Sequence, residues 1–282
     1  MERQSPGFQV FVYGAGLLLA IIVLAPFIWL LIMSVSSTKD LTTIPLNWIP
    51  ERFDFSRYGQ LLTLAENTTG RAFLFSLRNS IAVATIATVC AICVGIPAAW
   101  AVSRAERRLD LALYAVVATY MLPPVALVVP MYMGLSALGM RNSVFSLATI
   151  YLSILAPFTA WLLKSSFDNI PVEIEHAAMI DGARFDKILR RVTLPLAAPS
   201  LATAALFAFL LAWDEFFYAL LFTSDQRAKT LTVAIADLAG GRIADYGLIA
   251  TAGILAAAPP VLIGFGLQRA LVSGLTAGGV KG

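Results

Sequence analysis

Leu17-Leu18-Leu19-Ala20-Ile21-Ile22-Val23-Leu24 and Ala204-Ala205-Leu206-Phe207-Ala208-Phe209-Leu210-Leu211 put no polar side chain on any face. A strand of a membrane barrel alternates apolar and polar residues over about 10 positions. These stretches do not alternate, so they read as helices buried in lipid. Each lies inside a longer charge-free run: 35 residues between Arg3 and Lys39, and 22 between Arg191 and Asp214. Four more such runs are bounded by Arg78 and Arg104, Asp110 and Arg141, Arg141 and Lys164, and Asp245 and Arg269. At about 1.5 Å per residue, roughly 20 apolar residues cross about 30 Å of hydrocarbon.

The expectation is an all-α integral membrane protein with six transmembrane helices. They fall at about 8–34, 74–102, 111–135, 144–163, 197–222 and 246–267, within one transmembrane domain covering residues 1–282. Composition agrees, because the chain is 59% hydrophobic and 13% charged, against about 25% charged in average chains. The first run is too long for the apolar core of a secretion signal and is followed by no small-residue cleavage site, so it is expected to stay as a helix. Pro123, Pro124 and Pro130 should break or kink the third helix, and a broken helix at membrane depth must line protein or a water-filled path. Pro157 in the fourth helix, and Pro259 with Pro260 in the sixth, pose the same choice between packing kink and pathway.

Lys and Arg concentrate on the cytoplasmic side of membrane proteins. With the N-terminus inside, the inner segments hold 11 of them and the outer segments 8. The short loop Ser103–Asp110 is the strongest marker, with Arg104, Arg107 and Arg108. Both termini are therefore expected to be cytoplasmic. A net charge of +3 without basic residues interleaved with aromatics gives nucleic-acid binding no support. Cys90 and Cys93 form a C-x-x-C in the second helix, but no nearby cation favours a thiolate, so they read as small packing residues. Asn67-Thr68-Thr69 matches a glycosylation acceptor of a kind common by chance. No metal site and no catalytic residue is expected.

The connection between the fourth and fifth helices is unusual. Lys164 to Arg191 is 28 residues long and holds 10 of the 37 charges. It reads Pro171-Val-Glu-Ile-Glu-His-Ala-Ala-Met-Ile-Asp-Gly182, then Ala-Arg-Phe-Asp-Lys-Ile-Leu-Arg-Arg-Val-Thr-Leu-Pro195. Pro171 suits a first helical turn, and Glu173 and Glu175 lie near the positive end of the helix dipole. Gly182 interrupts. A second helix then places Phe185, Ile188, Leu189 and Val192 on one stripe. Such a helix suits anionic headgroups, yet Ala177, Ala178 and Gly182 form a small-residue face that suits close docking instead.

Glu175-His176-Ala177-Ala178 with Gly182, Val192, Leu194 and Pro195 resembles the EAA motif of permease subunits in binding-protein-dependent ABC importers. That pattern is E-A-A, three residues, Gly, nine residues, Ile, one residue, Leu-Pro. Val192 stands for Ile, and His176 takes the place of the Glu. Glu173 and Glu175 face elsewhere on a helix. The flanks Ile170-Pro171, Ile180-Asp181-Gly182-Ala183 and Leu194-Pro195-Leu196 are similar to the carbohydrate-uptake branch, in the manner of the second permease of maltose-type systems. So are Trp213-Asp214-Glu215-Phe216 and the tail from Gly274 to Gly282. The likeness covers nearly the whole chain.

The resemblance implies that the paired short helices, with Glu175, His176, Ala177, Ala178, Asp181, Gly182, Phe185, Val192, Leu194 and Pro195, dock on a cytoplasmic ATPase from a loop at about 164–195. It also implies a second permease subunit, an ATP-binding subunit dimer that uses ATP and Mg, and an extracytoplasmic solute-binding protein. The setting is lipid of a bacterial or archaeal inner membrane. The chain has no G-x-x-x-x-G-K-[ST] phosphate loop, so no cofactor is expected on it and hydrolysis belongs to another chain. His176, the sole histidine, invites a pH-sensing role, although an exposed imidazole at a docking surface is more often a polar contact.

Trp213, Asp214, Glu215 and Phe216 are the candidate substrate pathway. Either one acid faces the path while the other packs against the companion permease or the receptor, or both merely sit at the membrane boundary; the aromatics offer a stacking face for a sugar or anchor the helix end at the interface. The rival class is an ion-coupled secondary transporter using Asp214 and Glu215 as a proton relay. An intramembrane enzyme fits less well, since neither H-E-x-x-H nor G-x-S-x-G occurs.

Overall fold

A computed structural model describes residues 6–105, 109–240 and 244–277, with side chains from 7 to 268. The charges expected to mark the two faces at Arg3, Arg107, Arg108, Arg242 and Lys281, and the tail from Gly278, lie outside the described residues, as does the side chain of Arg269. Every regular element among the described residues is helical. Four helices are long and apolar enough to cross a membrane unbroken, and two further spans are bent pairs.

The unbroken spans are α1 (Pro6–Val35), α4 (Thr69–Arg104), α7 (Val144–Asp168) and α14 (Tyr246–Ala277). Short helices α2 (Thr38–Thr42) and α3 (Ser56–Leu61) lie between the first two. The third span is α5 (Asp110–Ala118), a 3-10 turn at Thr119–Met121, and α6 (Pro124–Ala137). Its halves meet at 100°, as the prolines predict: Pro123 and Pro124 supply no N–H to continue the first half, and Pro124 opens the second at its first position. The loop after α7 holds α8 (Val172–Ile180) and α9 (Phe185–Ile188), then a π-turn at Leu189–Thr193 and α10 (Leu194–Leu196). α11 (Ala198–Trp213), α12 (Phe217–Phe222) and α13 (Leu231–Ala239) precede α14.

The boundaries correct the expectations in three places. The fourth span continues to Asp168 rather than 163, taking the first residues assigned to the loop. The sixth continues to Ala277. The fifth does not run unbroken from 197 to 222: it bends by 80° where α10 meets α11, and it ends at Trp213 before restarting at Phe217. No proline causes that second break. At it, Glu215 caps the first turn of α12.

By internal packing the chain forms two units, one of Met1–Leu74 with Ala234–Ala258 and the other of Phe75–Val233 with Pro259–Gly282. In the first, buried Arg57 organises the contacts. Its guanidinium donates to Ser36 O at 2.5 Å, to Thr38 Oγ1 at 2.9 Å and to Asp245 Oδ2 at 3.2 Å. Asp245 in turn caps α14 by accepting from Leu248 N. Gly247 is required here, because a Cβ would fall 2.3 Å from the guanidinium carbon. The apolar stretch of α1 is unburied within the chain, a surface for lipid or another subunit.

In the second unit α7 buries Leu147, Tyr151, Leu155, Thr159, Leu163 and Phe167. These recur every four residues and so form one ridge. Ser143 starts the helix with a capping box to Ser146. The ridge packs on α11, and at its lower end Leu163 and Phe167 join Ala99, Ala197 and Ala204 in one fully covered cluster.

Candidate functional site

The loop between α7 and α11 is built around one carboxylate. On α8, Glu175 falls on the inward face and is 1% exposed. An isolated buried carboxylate is strongly disfavoured, and here it has four donors. Arg104 Nε lies 2.9 Å from Oε2 and Nη2 lies 3.0 Å from Oε1, a two-point pairing of the kind that guanidinium geometry favours. Thr193 Oγ1 donates at 2.7 Å and Trp100 Nε1 at 3.3 Å. Burial alone would push the carboxyl up; the hydrogen bonds from Arg104, Thr193 and Trp100 outweigh it and hold Glu175 below the usual carboxylate range. The pair is charged at neutral pH, and its contribution to stability is lost only as the pH falls through that lowered folded value. Removing one partner of such a pair typically costs roughly 3–5 kcal/mol, because the other charge stays buried alone.

α8 ends in a Schellman turn. Gly182 N donates to Met179 O at 3.0 Å and Ala183 N to Ala178 O at 2.9 Å. Asp181 is the C-cap, and Gly182 sits at φ +81°, the left-handed position where glycine avoids a Cβ clash. The chain then enters α9 and the π-turn. A π-turn closes bonds five residues apart, so the residue one turn beyond buried Ile188 is Thr193, also buried. This corrects the expected stripe of Phe185, Ile188, Leu189 and Val192. Ile188 points inward, Leu189 and Val192 are half-buried, and Phe185 stands 66% exposed with its ring edge against Trp100.

Of the residues expected to dock, His176, Ala177, Asp181, Gly182, Phe185 and Pro195 are exposed, while Ala178, Val192 and Leu194 are half-buried. Leu194 packs on the Ala99 cluster. Glu175 departs from expectation: its carboxylate is spent inside the chain. The exposed surface of the loop instead carries large apolar residues, Ile174, Met179, Ile180 at 87% and Phe185, among the charged or polar Glu173, His176, Asp181 and Arg184. Two clefts open there. One of about 520 Å³ is lined by Trp100, Arg104, Val172, His176, Met179 and Phe185, and one of about 560 Å³ by Met179, Ala183, Arg184, Phe185 and Asp186. Arg104, Trp100 and Thr193 were not singled out from sequence as partners of this loop. The signal for Arg104 was present, an arginine at the end of a span opposite a carboxylate-bearing loop.

The second candidate region is the break between α11 and α12. Asp214 terminates α11, its N–H donating to Leu210 O at 3.0 Å, and its side chain is exposed. Glu215 turns the other way. Its carboxylate accepts from Tyr218 N at 2.8 Å and Ala219 N at 3.1 Å, satisfying the first N–H groups of α12. The two acids therefore have different roles, and Glu215 is not free to share a proton path with Asp214. Trp213 is 6% exposed and stacked on Phe209 at 5.7 Å, so it offers no open face; Phe216, 40% exposed, does.

Residues 91–277 match the family model described as binding-protein-dependent transport system inner membrane component. The chain is 35% identical over 271 residues to the trehalose/maltose transport system permease protein MalG of Thermococcus litoralis, covering 95% of each chain. It is also 35% identical to the sulfoquinovosyl glycerol transport system permease protein SmoH of Agrobacterium fabrum, covering 99% of this chain and 98% of that one. The fold is similar to that of a chain in the crystal structure of a bacterial ABC transporter involved in the import of the acidic polysaccharide alginate. The TM-score is 0.76 at 22% identity, over 95% of this chain and 99% of that chain. A chain in the bacterial alginate ABC transporter in complex with alginate pentasaccharide-bound periplasmic protein matches at a TM-score of 0.58 and 18% identity, over 93% of each.

Proposed function

The chain belongs to the family of binding-protein-dependent transport system inner membrane components, and from that premise we propose that it forms part of the path for a sugar or sugar-like solute in an ATP-driven importer. Relatives named for trehalose, maltose and sulfoquinovosyl glycerol transport support the solute class. The partners are a second permease, a dimer of ATP-binding subunits that bind ATP and Mg, and an extracytoplasmic solute-binding protein. This chain is the transport subunit and leaves hydrolysis to the ATP-binding subunits. Both termini and the loop from α7 to α11 face the cytoplasm of a bacterial or archaeal cell.

One observation carries the coupling role. The loop holds its root with a buried ion pair yet leaves Ile174, Ile180 and Phe185 in the open. A loop that served only as a connector would gain nothing from so rigid a base beneath so apolar a surface, whereas a docking element needs both. His176, Ala177, Ala178, Asp181, Gly182, Phe185 and Pro195 then form the contact face, and the half-buried Val192 and Leu194 seat it on the bundle. Asp214 and Phe216 line the solute path at the helix break.

The test is uptake into proteoliposomes holding the complete complex, with the solute receptor chosen by its thermal stabilisation across a panel of mono-, di- and oligosaccharides. Uptake should require ATP inside and survive a proton uncoupler. Uptake that persists without ATP and collapses with the uncoupler would overturn the proposal in favour of ion coupling.

A further inference from the structure

A loop between α7 and α11 is expected to pass its movement to the two helices that flank it. The hydrogen bonds run elsewhere. Apart from Thr193, the donors on Glu175 come from α4, whose Arg104 is 71 residues earlier in the chain. Arg104 also reaches Phe167 O at 3.1 Å, and Ser103 donates to Asp168 Oδ1 at 2.5 Å. The inner end of α4 thus holds α8, the π-turn and the last turn of α7 together.

The same helix is gripped again 25 residues before Arg104, at Asn79 and Ser80. Buried Asn79 donates to Gln226 O at 2.9 Å and to Lys229 O at 3.1 Å, and Ser80 Oγ accepts from Leu231 N at 2.7 Å. These bonds fix the segment between α12 and α13. From residue 79 to residue 104 a helix rises about 37 Å, enough to cross the membrane. One soft point lies between, since Pro97 removes a backbone hydrogen bond. It is braced: at Gly95 a Cβ would lie 2.9 Å from Thr159 Oγ1, so α4 and α7 are in close contact, and that hydroxyl donates to Ala91 O at 3.2 Å.

We infer that α4 is a transmission rod, clamped to the coupling loop by Arg104 and Glu175 and to the outer 226–231 segment by Asn79 and Ser80. Displacement of the loop by the ATPase reaches the outer face through it, and docking of the solute receptor on the outer face is signalled back along the same helix. The inference rests on the docking role and orientation given under Proposed function. It adds a route beside the flanking helices.

The experiment measures receptor-stimulated ATP hydrolysis of the complete complex in proteoliposomes, with copurification of the ATPase as the assembly control. Arg104→Gln and Asn79→Ala should each lower the stimulation at least tenfold, although they sit about 37 Å apart along α4, and Arg104→Lys should recover part of it. The double variant should be no worse than the weaker single, because two breaks in one rod act in series, whereas independent local defects multiply. Multiplied effects, or full stimulation in either single variant, would overturn the inference. If Arg104→Gln does not assemble, Arg104→Lys takes its place in the cycle with the same criterion. A cross-link from Lys187→Cys to the ATPase separates the two readings: its absence removes the docking role itself, and its presence with multiplied effects removes only the rod.

Discussion

Gly182 offers a quantitative test of the coupling loop, because its surroundings isolate the backbone contribution. The residue holds φ +81° at the Schellman turn, and an added Cβ would meet nothing within 4 Å. Gly182→Ala therefore introduces no clash with neighbours and changes only the backbone preference, which for an L-residue in the left-handed region costs about 1–2 kcal/mol. That corresponds to roughly a 5–30-fold fall in the population of the native turn relative to its alternatives. Asn tolerates this conformation better than Ala, so Gly182→Asn should cost less. Gly182→Leu carries the same backbone cost as Ala and also projects a side chain from the surface proposed to meet the ATPase.

Copurification of the ATPase and solute-stimulated hydrolysis by the purified complex should therefore decline in the order Gly, Asn, Ala, Leu. The membrane bundle should remain inserted throughout, since the site touches none of its core. An Asn variant weaker than the Ala variant would refute the backbone account. A Leu variant that keeps its ATPase and its stimulated hydrolysis at the unmodified level would refute the docking role of the loop.

The two acids after α11 should separate cleanly. Asp214→Asn should lose uptake at limiting solute while the complex assembles and hydrolyses ATP; Glu215→Ala should instead lower thermal stability by about 0.5–2 kcal/mol, the usual cost of losing a helix cap. Normal uptake in both single variants and in the double would end the pathway role of this segment. Topology is checked by labelling Lys187→Cys in a background lacking Cys90 and Cys93. Reagent should reach it only from the inner face, and labelling from outside intact cells would invert the orientation.

How legible each feature is in the sequence depends on how locally it is determined. A charge in the hydrocarbon costs several kcal/mol on insertion scales, so the spans announce themselves as charge-free runs whatever they pack against. The α5–α6 break and the Gly182 turn are equally local, written by Pro123, Pro124 and a glycine after Ile180-Asp181. The π-turn was not legible, because the inward turn of Thr193 is tied to a hydrogen bond with Glu175 on another helix. Arg104 was visible only as one of several arginines marking a face. Its role depends on a partner 71 residues away. Glu215 is ambiguous for the opposite reason, since two adjacent acids look alike until the helix stops at Trp213 and one of them caps α12.

The departure at His176 shows how far such a local reading can be corrected. Adjacent helical residues point about 100° apart, so with Glu175 turned inward, His176 is left on the exposed face of α8. Glu175 has no rotation that brings its carboxylate to that face without abandoning Arg104, Trp100 and Thr193, and it would leave the guanidinium half-buried and unpaired. The neighbouring acid therefore does not substitute for the missing one. A groove that received this loop would meet an imidazole among Ile174, Ala177 and Ile180, with exposed Glu173 one turn earlier on α8 and the basic residues Arg184, Lys187, Arg190 and Arg191 at exposed positions further along the loop.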